Sequence, residues 1–269
     1  MTRREQDLSL KSYLSTYSVT SKMSHLRGRL GLYRFIADQF VTASDSVIDV
    51  GCGEGFGAYC LSLKARKVLG IDMLPDLSEY AGERYGSTGL DYLSLDIMSG
   101  DVAIERADVI CALDVIEHVP DDVAFVKALL DLARPGGTVI ISTPNKLVSY
   151  VLFGRLYEYH LREYAHADIQ RLIRQTGCSE CRVYCVNPGY ISSLTLMEII
   201  KSRVGAKLPL ALREWAKAHW VSLRHRLRGH PSVQAIGALF NNMANANILD
   251  AAEIETPEEG SDFIAVFRR

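Results

Sequence analysis

The stretch Val47-Ile48-Asp49-Val50-Gly51-Cys52-Gly53-Glu54-Gly55-Phe56-Gly57 is followed, after a helical interval, by Gly70-Ile71-Asp72. Nothing else in the chain limits its fold so strongly. An apolar run ends in closely spaced glycines that open a helix, and a second short apolar run ends in a carboxylate about 20 residues on. Strand, glycine-rich turn, helix, strand and acid in that order make half of a nucleotide-binding α/β unit.

The spacing of the glycines narrows the ligand. A dinucleotide loop reads G-x-G-x-x-G, but here the third glycine of that pattern falls on Phe56. Asp49, just before the glycines, would repel a pyrophosphate and suit a cationic amine. S-adenosylmethionine carries such an amine, and a carboxylate for the loop N–H groups. Asp72, at the tip of the second strand, is placed to take both hydroxyls of a ribose.

These residues resemble motif I of the class I S-adenosylmethionine-dependent methyltransferases, hydrophobic-hydrophobic-Asp-hydrophobic-Gly-Cys-Gly-x-Gly. The resemblance implies a three-layer α/β sandwich around a mostly parallel, seven-stranded sheet whose last strand is antiparallel. It implies cofactor contacts from Asp49, Gly51, Cys52, Gly53, Asp72 and Met73, and further along from Asp96, Ile97 and Leu113. An acid in the position of Asp96 takes the adenine amino group in that family.

The rest of the chain supports this alternation. Strands are predicted at 47–50, 67–71, 92–95, 108–113, 138–142, 182–186 and 263–267. Leu26, Leu30, Tyr33, Ile36, Ala37 and Phe40 recur at helical spacing ahead of the first strand. Asp121 or Asp122 can cap a helix whose buried stripe is Val123, Val126, Leu129, Leu130 and Ala133, stopped by Pro135-Gly136-Gly137. A further helix is predicted from Asp168 to Thr176, ended by Gly177. Alternating strands and helices predict a parallel sheet covered on both faces.

The text after strand four, Asp114-Val115-Ile116-Glu117-His118-Val119, resembles methyltransferases acting on small molecules, including the ubiquinone-biosynthesis O-methyltransferases, which read Glu-x-x-Glu-His-hydrophobic. Two chemistries fit. His118 can act as general base on an acceptor hydroxyl, or Asp114, Glu117 and His118 can hold a divalent cation that lowers the hydroxyl's pKa. Asp114 stands where metal-dependent relatives carry a longer glutamate, so the base is preferred. Thr143-Pro144-Asn145 and His160-Leu161-Arg162-Glu163-Tyr164 resemble bacterial envelope and sugar-modifying methyltransferases, as does His25-Leu26-Arg27-Gly28-Arg29. His160 is a second candidate catalytic residue, and Arg162 with Glu163 is expected to form an ion pair shaping the cover of the site.

The interval between strands six and seven is too long for a structureless loop. Three parts are therefore expected: a helical cover at 1–43, a core at 44–188 plus 262–269, and a helical insertion at 189–261. Residues 201–230 carry eight Lys or Arg against the single acid Glu214, although the whole chain has a net charge of −2. A helix from Pro209 to Arg228 would place Arg213, Lys217, Arg224 and Arg228 opposite Leu212, Trp215 and Leu223. Residues 208–228 could pack on the core, lie on an anionic membrane surface, or meet an anionic substrate.

The N-terminus lacks a signal pattern, no apolar run reaches bilayer length, and the six cysteines show no paired spacing for zinc or a disulfide framework. The expected compartment is the cytoplasm, with the basic helix a candidate for contact at the inner membrane face. The expected acceptor is a small molecule, sugar or glycolipid, ahead of nucleic acid. The competing readings are an RNA 2′-O-methyltransferase that tracks phosphates with the basic insertion, and a cofactor-binding partner protein without catalysis.

Overall fold

The structure is a computed structural model, and it describes residues 19–100, 102–157, 159–178, 180–187, 248–253, 255 and 257–269, with backbone alone at 19–28, 153 and 259. The helix anticipated from Pro209 to Arg228 and most of the anticipated insertion lie outside the described residues, as does the chain before Val19. The elements in chain order begin with α1 (Val19–Phe40), β1 (Ser46–Val50), α2 (Phe56–Ser62), β2 (Lys67–Asp72), α3 (Pro75–Tyr85) and β3 (Leu90–Ser94). They continue with β4 (Ala107–Leu113), a 3-10 turn (Ile116–His118), α4 (Asp122–Leu132), β5 (Ala133–Pro144), α5 (Lys146–Phe153), α6 (His166–Thr176), β6 (Cys181–Val186), β7 (Ile248–Asp250) and β8 (Asp262–Arg268).

One sheet runs in the order β3-β2-β1-β4-β5-β8-β6-β7. The five strands from β3 to β5 are parallel, while β8 enters antiparallel between β5 and β6. The sheet has eight strands where seven were anticipated. The extra one, β7, pairs antiparallel with the outer edge of β6, Val186 opposite Ile248 and Tyr184 opposite Asp250. Three residues set among Asn and Ala carry too short a pattern for periodicity to find.

Strand side chains alternate between two cores, as a doubly covered sheet requires. Ile48, Ile110, Val139, Ile141, Phe263 and Phe267 pack against α4 and α6 through Val126, Leu129, Ile169 and Leu172. Val47, Val109, Ile140 and Ile264 pack against α1 and α2 through Leu30, Ile36, Cys60 and Leu61. Fully burying each Phe of β8 is worth roughly 1.5–3 kcal/mol, so the strand nearest the C-terminus is also one of the best anchored.

The caps follow from sequence chemistry. Asp121 caps α4 by accepting the Ala124 N–H at 2.9 Å. Asn145 accepts the Leu147 N–H at 3.0 Å and starts α5, a helix the apolar periodicity did not announce. α6 begins at His166 rather than Asp168, because Asp168 sits inside the first turn and reaches back to the Ala165 N–H at 3.0 Å. Among the described residues no helix is long and apolar enough to cross a membrane.

Candidate active site

The site gathers at the carboxyl ends of β1, β2 and β4, where the parallel strands release their loops. Gly51 leaves β1 with φ +70°, and its N–H donates to the Ile71 carbonyl at 2.7 Å, so the turn is tied to β2. A Cβ on Gly51 would stand 2.4 Å from Val115 Cγ2. The glycine loop therefore touches the turn that carries Glu117 and His118. Phe56, at the position where a dinucleotide loop has its third glycine, opens α2 and meets the Tyr33 ring edge-on at 5.9 Å.

Asp72 accepts the Gly53 N–H and the Leu74 N–H, each at 3.0 Å, one on each carboxylate oxygen. Burial raises its pKa, and the two N–H donors oppose that rise. Met73 beside it is 60% exposed, an apolar side chain standing free at the strand end. Asp96 is exposed and accepts the Met98 N–H at 2.9 Å, while neighbouring Ile97 is buried. Cys52 is buried and its thiol is pushed far up by burial and by Asp49, which leaves it a packing residue.

Asp49 is fully buried, and its carboxyl is pushed up to about 7 by burial. The hydroxyl of Tyr33 donates to both its oxygens, at 3.0 and 3.2 Å. Tyr33 occupies the space above Gly57, where a Cβ would lie 2.0 Å from its ring. So α1, packed across α2, supplies the partner of the buried acid. A carboxylate poised near neutrality at the head of a glycine loop suits a cationic ligand, whose charge restores the ionised form. A loop with no room for a Cβ, an acid at each of two strand tips and an exposed methionine fit S-adenosylmethionine.

The turn after β4 is set by Asp114, which adopts φ +53°, uncommon for a residue with a Cβ. Ser142 Oγ donates to Asp114 Oδ1 at 2.8 Å, and Arg29 Nη2 meets Oδ2 at 2.8 Å. Arg29 Nη1 also donates to the Leu113 carbonyl at 3.1 Å. Strained residues of this kind persist where the surroundings over-determine them, commonly at functional sites.

Glu117 is fully buried and its pKa is pushed up to about 8, by burial first and then by the charge of Asp114. Its Oε2 accepts the Thr143 hydroxyl at 3.1 Å, whereas Oε1 has no partner. His118 is exposed along part of its ring and covered over the rest, and its Nδ1 lies 3.0 Å from the Tyr159 carbonyl. A carbonyl only accepts, so Nδ1 carries the hydrogen and Nε2 keeps its lone pair. Burial of the ring lowers the His118 pKa. The His160 ring meets His118 edge-on, with centroids 4.9 Å apart.

Glu117, His118 and His160 each offer a ligand atom within 4.8 Å of the other two. That is a different trio from Asp114, Glu117 and His118. Asp114 spends its oxygens on Arg29 and Ser142, and His160 approaches from the loop before α6. The anticipated Arg162–Glu163 ion pair does not form. Arg162 pairs with Asp122 at 3.1 Å, and Glu163 turns inward to His160 Nδ1 at 2.7 Å.

Sequence reasoning gave no role in the site to Arg29, Ser142, Thr143 or Asp262, and read Tyr33 only as part of the apolar stripe of the helix ahead of β1. Asp262, at the start of β8, is pushed up to about 7 by burial and by Asp114. Thr143 and Arg29 do stand inside stretches whose text resembles known methyltransferases, which was the one available signal.

The family described as "Methyltransferase domain" matches residues 22–248. A ubiquinone biosynthesis O-methyltransferase of Methylococcus capsulatus is 36% identical over 133 residues, covering 48% of this chain and 56% of that protein. A probable S-adenosylmethionine-dependent methyltransferase of Mycolicibacterium smegmatis is 32% identical over 139 residues, covering 50% of this chain and 52% of that one. The chain thus spans about half the length of the curated relatives it matches. In fold it is similar to magnesium protoporphyrin IX methyltransferase from Synechocystis with bound S-adenosylhomocysteine. That match has a TM-score of 0.52 at 18% identity, covering 66% of this chain and 89% of that one.

Proposed function

The chain belongs to the class I S-adenosylmethionine-dependent methyltransferases, and from that premise we propose that it methylates an oxygen of a small-molecule, sugar or glycolipid acceptor, with His118 as the general base. When bound, the cofactor supplies a methyl group already activated on a sulfonium. His118 Nε2 takes the hydroxyl proton as the acceptor oxygen forms its bond to the methyl carbon. The sulfur keeps the electron pair of the broken bond. An alcohol is a weak nucleophile, and a placed base contributes roughly 10²–10⁴-fold. The observation that carries this reading is the His118–Tyr159 hydrogen bond, which leaves Nε2 as a proton acceptor on the turn whose Val115 packs against Gly51.

In this reading Asp49 faces the cofactor's amine and the N–H groups of the first turn of α2 face its carboxylate. Asp72 takes the ribose, Met73 and Ile97 flank the adenine, Asp96 takes its amino group, and the Leu113 backbone lines the methyl end. Residues 44–188 with 262–269 form the catalytic core. The segments before and between, 1–43 and 189–261, are the parts of the chain available to cover it.

A second reading rests on one further observation. Glu117 Oε1 is buried without a partner, and ring nitrogens of two histidines stand near it. Those three groups suit a divalent cation, which would supply Lewis-acid activation of the acceptor oxygen. The raised pKa of Glu117 is consistent with a carboxylate awaiting a positive charge.

One experiment separates the readings. Labelled methyl from S-adenosylmethionine is offered with the protein to a cell extract, which is then resolved into lipid, glycan, small-molecule and nucleic-acid pools. Label in one of the first three supports O-methylation of such an acceptor. Label in RNA, with activity falling steeply as salt rises, promotes the RNA 2′-O-methyltransferase reading. No label, with cofactor binding intact, favours a non-catalytic partner protein. In a chelated extract activity persists if His118 acts alone. Loss on chelation and recovery with added divalent metal would replace the base with the cation.

A further inference from the structure

Glu163 has the structural relation to His160 that an orienting carboxylate has to a catalytic imidazole. Its side chain is fully buried, at 0% exposure, while that of His160 is 11% exposed, and the two meet at 2.7 Å through Nδ1. The same carboxylate oxygen accepts the Tyr157 N–H at 3.0 Å, and the His160 N–H donates to the Tyr157 carbonyl at 3.0 Å, so two bonds tie His160 and Glu163 back to Tyr157. Hydrogen bonds to its charged form hold Glu163 below the usual carboxylate range despite its burial. Oε1 already accepts the Tyr157 N–H, so in the neutral ring the hydrogen shared with His160 sits on Nδ1. In that tautomer Nε2 keeps its lone pair. The loop is in turn fastened to the catalytic turn, with the Leu161 N–H donating to the Glu117 carbonyl at 2.9 Å.

We propose that Glu163 is a positioning residue. It fixes the tautomer and ring direction of His160 so that His160 meets the methyl acceptor as a hydrogen-bond acceptor beside His118. Resting on the O-methyltransferase reading, this adds a requirement on the substrate: a second hydrogen-bond donor close to the hydroxyl that is methylated. His118 and His160 then form a pair of imidazoles held in the same tautomer by different means, one by a backbone carbonyl and one by a buried carboxylate. The arrangement follows the general logic by which a carboxylate orients a histidine in acyl transfer, or a metal-bound histidine in a metalloenzyme.

The test reads the tautomer directly. Side-chain nitrogen NMR of histidine-labelled full-length protein should show His160 protonated at Nδ1 and bare at Nε2. A proton on Nε2 in the unsubstituted protein overturns the proposal without any variant. Glu163→Met removes the acceptor at similar length. It should release His160 to mixed tautomers and lower turnover on the labelled extract pool by about 10–100-fold, the usual cost of losing an orienting partner. Glu163→Gln keeps an acceptor oxygen and should retain both the tautomer and most of the turnover. If Glu163→Met loses the tautomer but keeps turnover, Glu163 only shapes the loop and the proposal falls. The NMR reading requires no methyl acceptor, so a failure of the methyltransferase reading leaves the tautomer result standing by itself.

Discussion

Replacing His118 with alanine is expected to lower turnover by about 10²–10⁴-fold while the affinity for S-adenosylhomocysteine stays within about twofold. The split follows from where the residue sits. His118 lies past the β4 strand end, where its ring bonds the Tyr159 carbonyl and meets the His160 ring, while the loop at Gly51–Gly53 and the Asp72 anchor are built from other bonds. The pH profile should agree. A base works unprotonated, so turnover rises with pH through the His118 pKa. Burial lowers that pKa below the free histidine value of about 6.5, and the acid limb should lie correspondingly low. Cofactor titration and initial rates on the same preparation decide the matter. An equal loss of cofactor affinity would place His118 in the cofactor site and refute its role as base.

Gly51→Ala is expected to be strongly damaging for the addition of one methyl group. It combines a left-handed backbone, φ +70°, with a Cβ placed 2.4 Å from Val115 Cγ2. The conformation costs roughly 1–2 kcal/mol for a residue with a Cβ, and forced overlap in a packed site about 1–3 kcal/mol more. Melting temperature should fall by roughly 4–20 °C at ~2–4 °C per kcal/mol. Because the displaced Val115 leads directly into the Ile116–His118 turn, turnover should fall with it. Gly154→Ala is the matched control: its φ is +69°, with nothing within 4 Å of the added carbon. It should cost the backbone strain alone. Gly51→Ala combined with Val115→Ala should recover the overlap part. Identical losses for Gly51→Ala and Gly154→Ala would show that the contact with Val115 carries no weight.

The parts of this site that could be read from the sequence are those whose residues are neighbours in the chain. Asp49, the glycines and the opening of α2 are consecutive, so one strand–turn–helix unit places them together whatever the rest does. Asp72 and Asp96 follow because each ends the next strand or the loop after it. The Glu117-His118 turn follows from its place after β4. What stayed hidden depends on packing between distant elements. Tyr33 reaches Asp49 only because α1 lies across α2, and Arg29 reaches Asp114 across 85 positions of sequence. Glu163 was assigned to its neighbour Arg162 because adjacency was the only available guide. The folded loop turns the two side chains to opposite sides, one toward Asp122 and one toward His160.

Val186 and Ile248 face each other as partners at the sheet edge, so the chain that leaves β6 returns to the position beside its departure. The connection between them is closed by the sheet itself. Doubling a connection of this kind costs only about 0.6 kcal/mol in closure entropy. The cofactor loop and the β4 turn lie elsewhere in the sheet order, separated from that edge by β5 and β8. The architecture is therefore wired in parallel rather than in series: what is spliced between β6 and β7 can be exchanged, lengthened or recharged without rethreading the strands that hold the cofactor. The connection and the strands that hold the cofactor are joined only through the short hydrogen-bonded pairing of β6 with β7 and the chain that continues into β8.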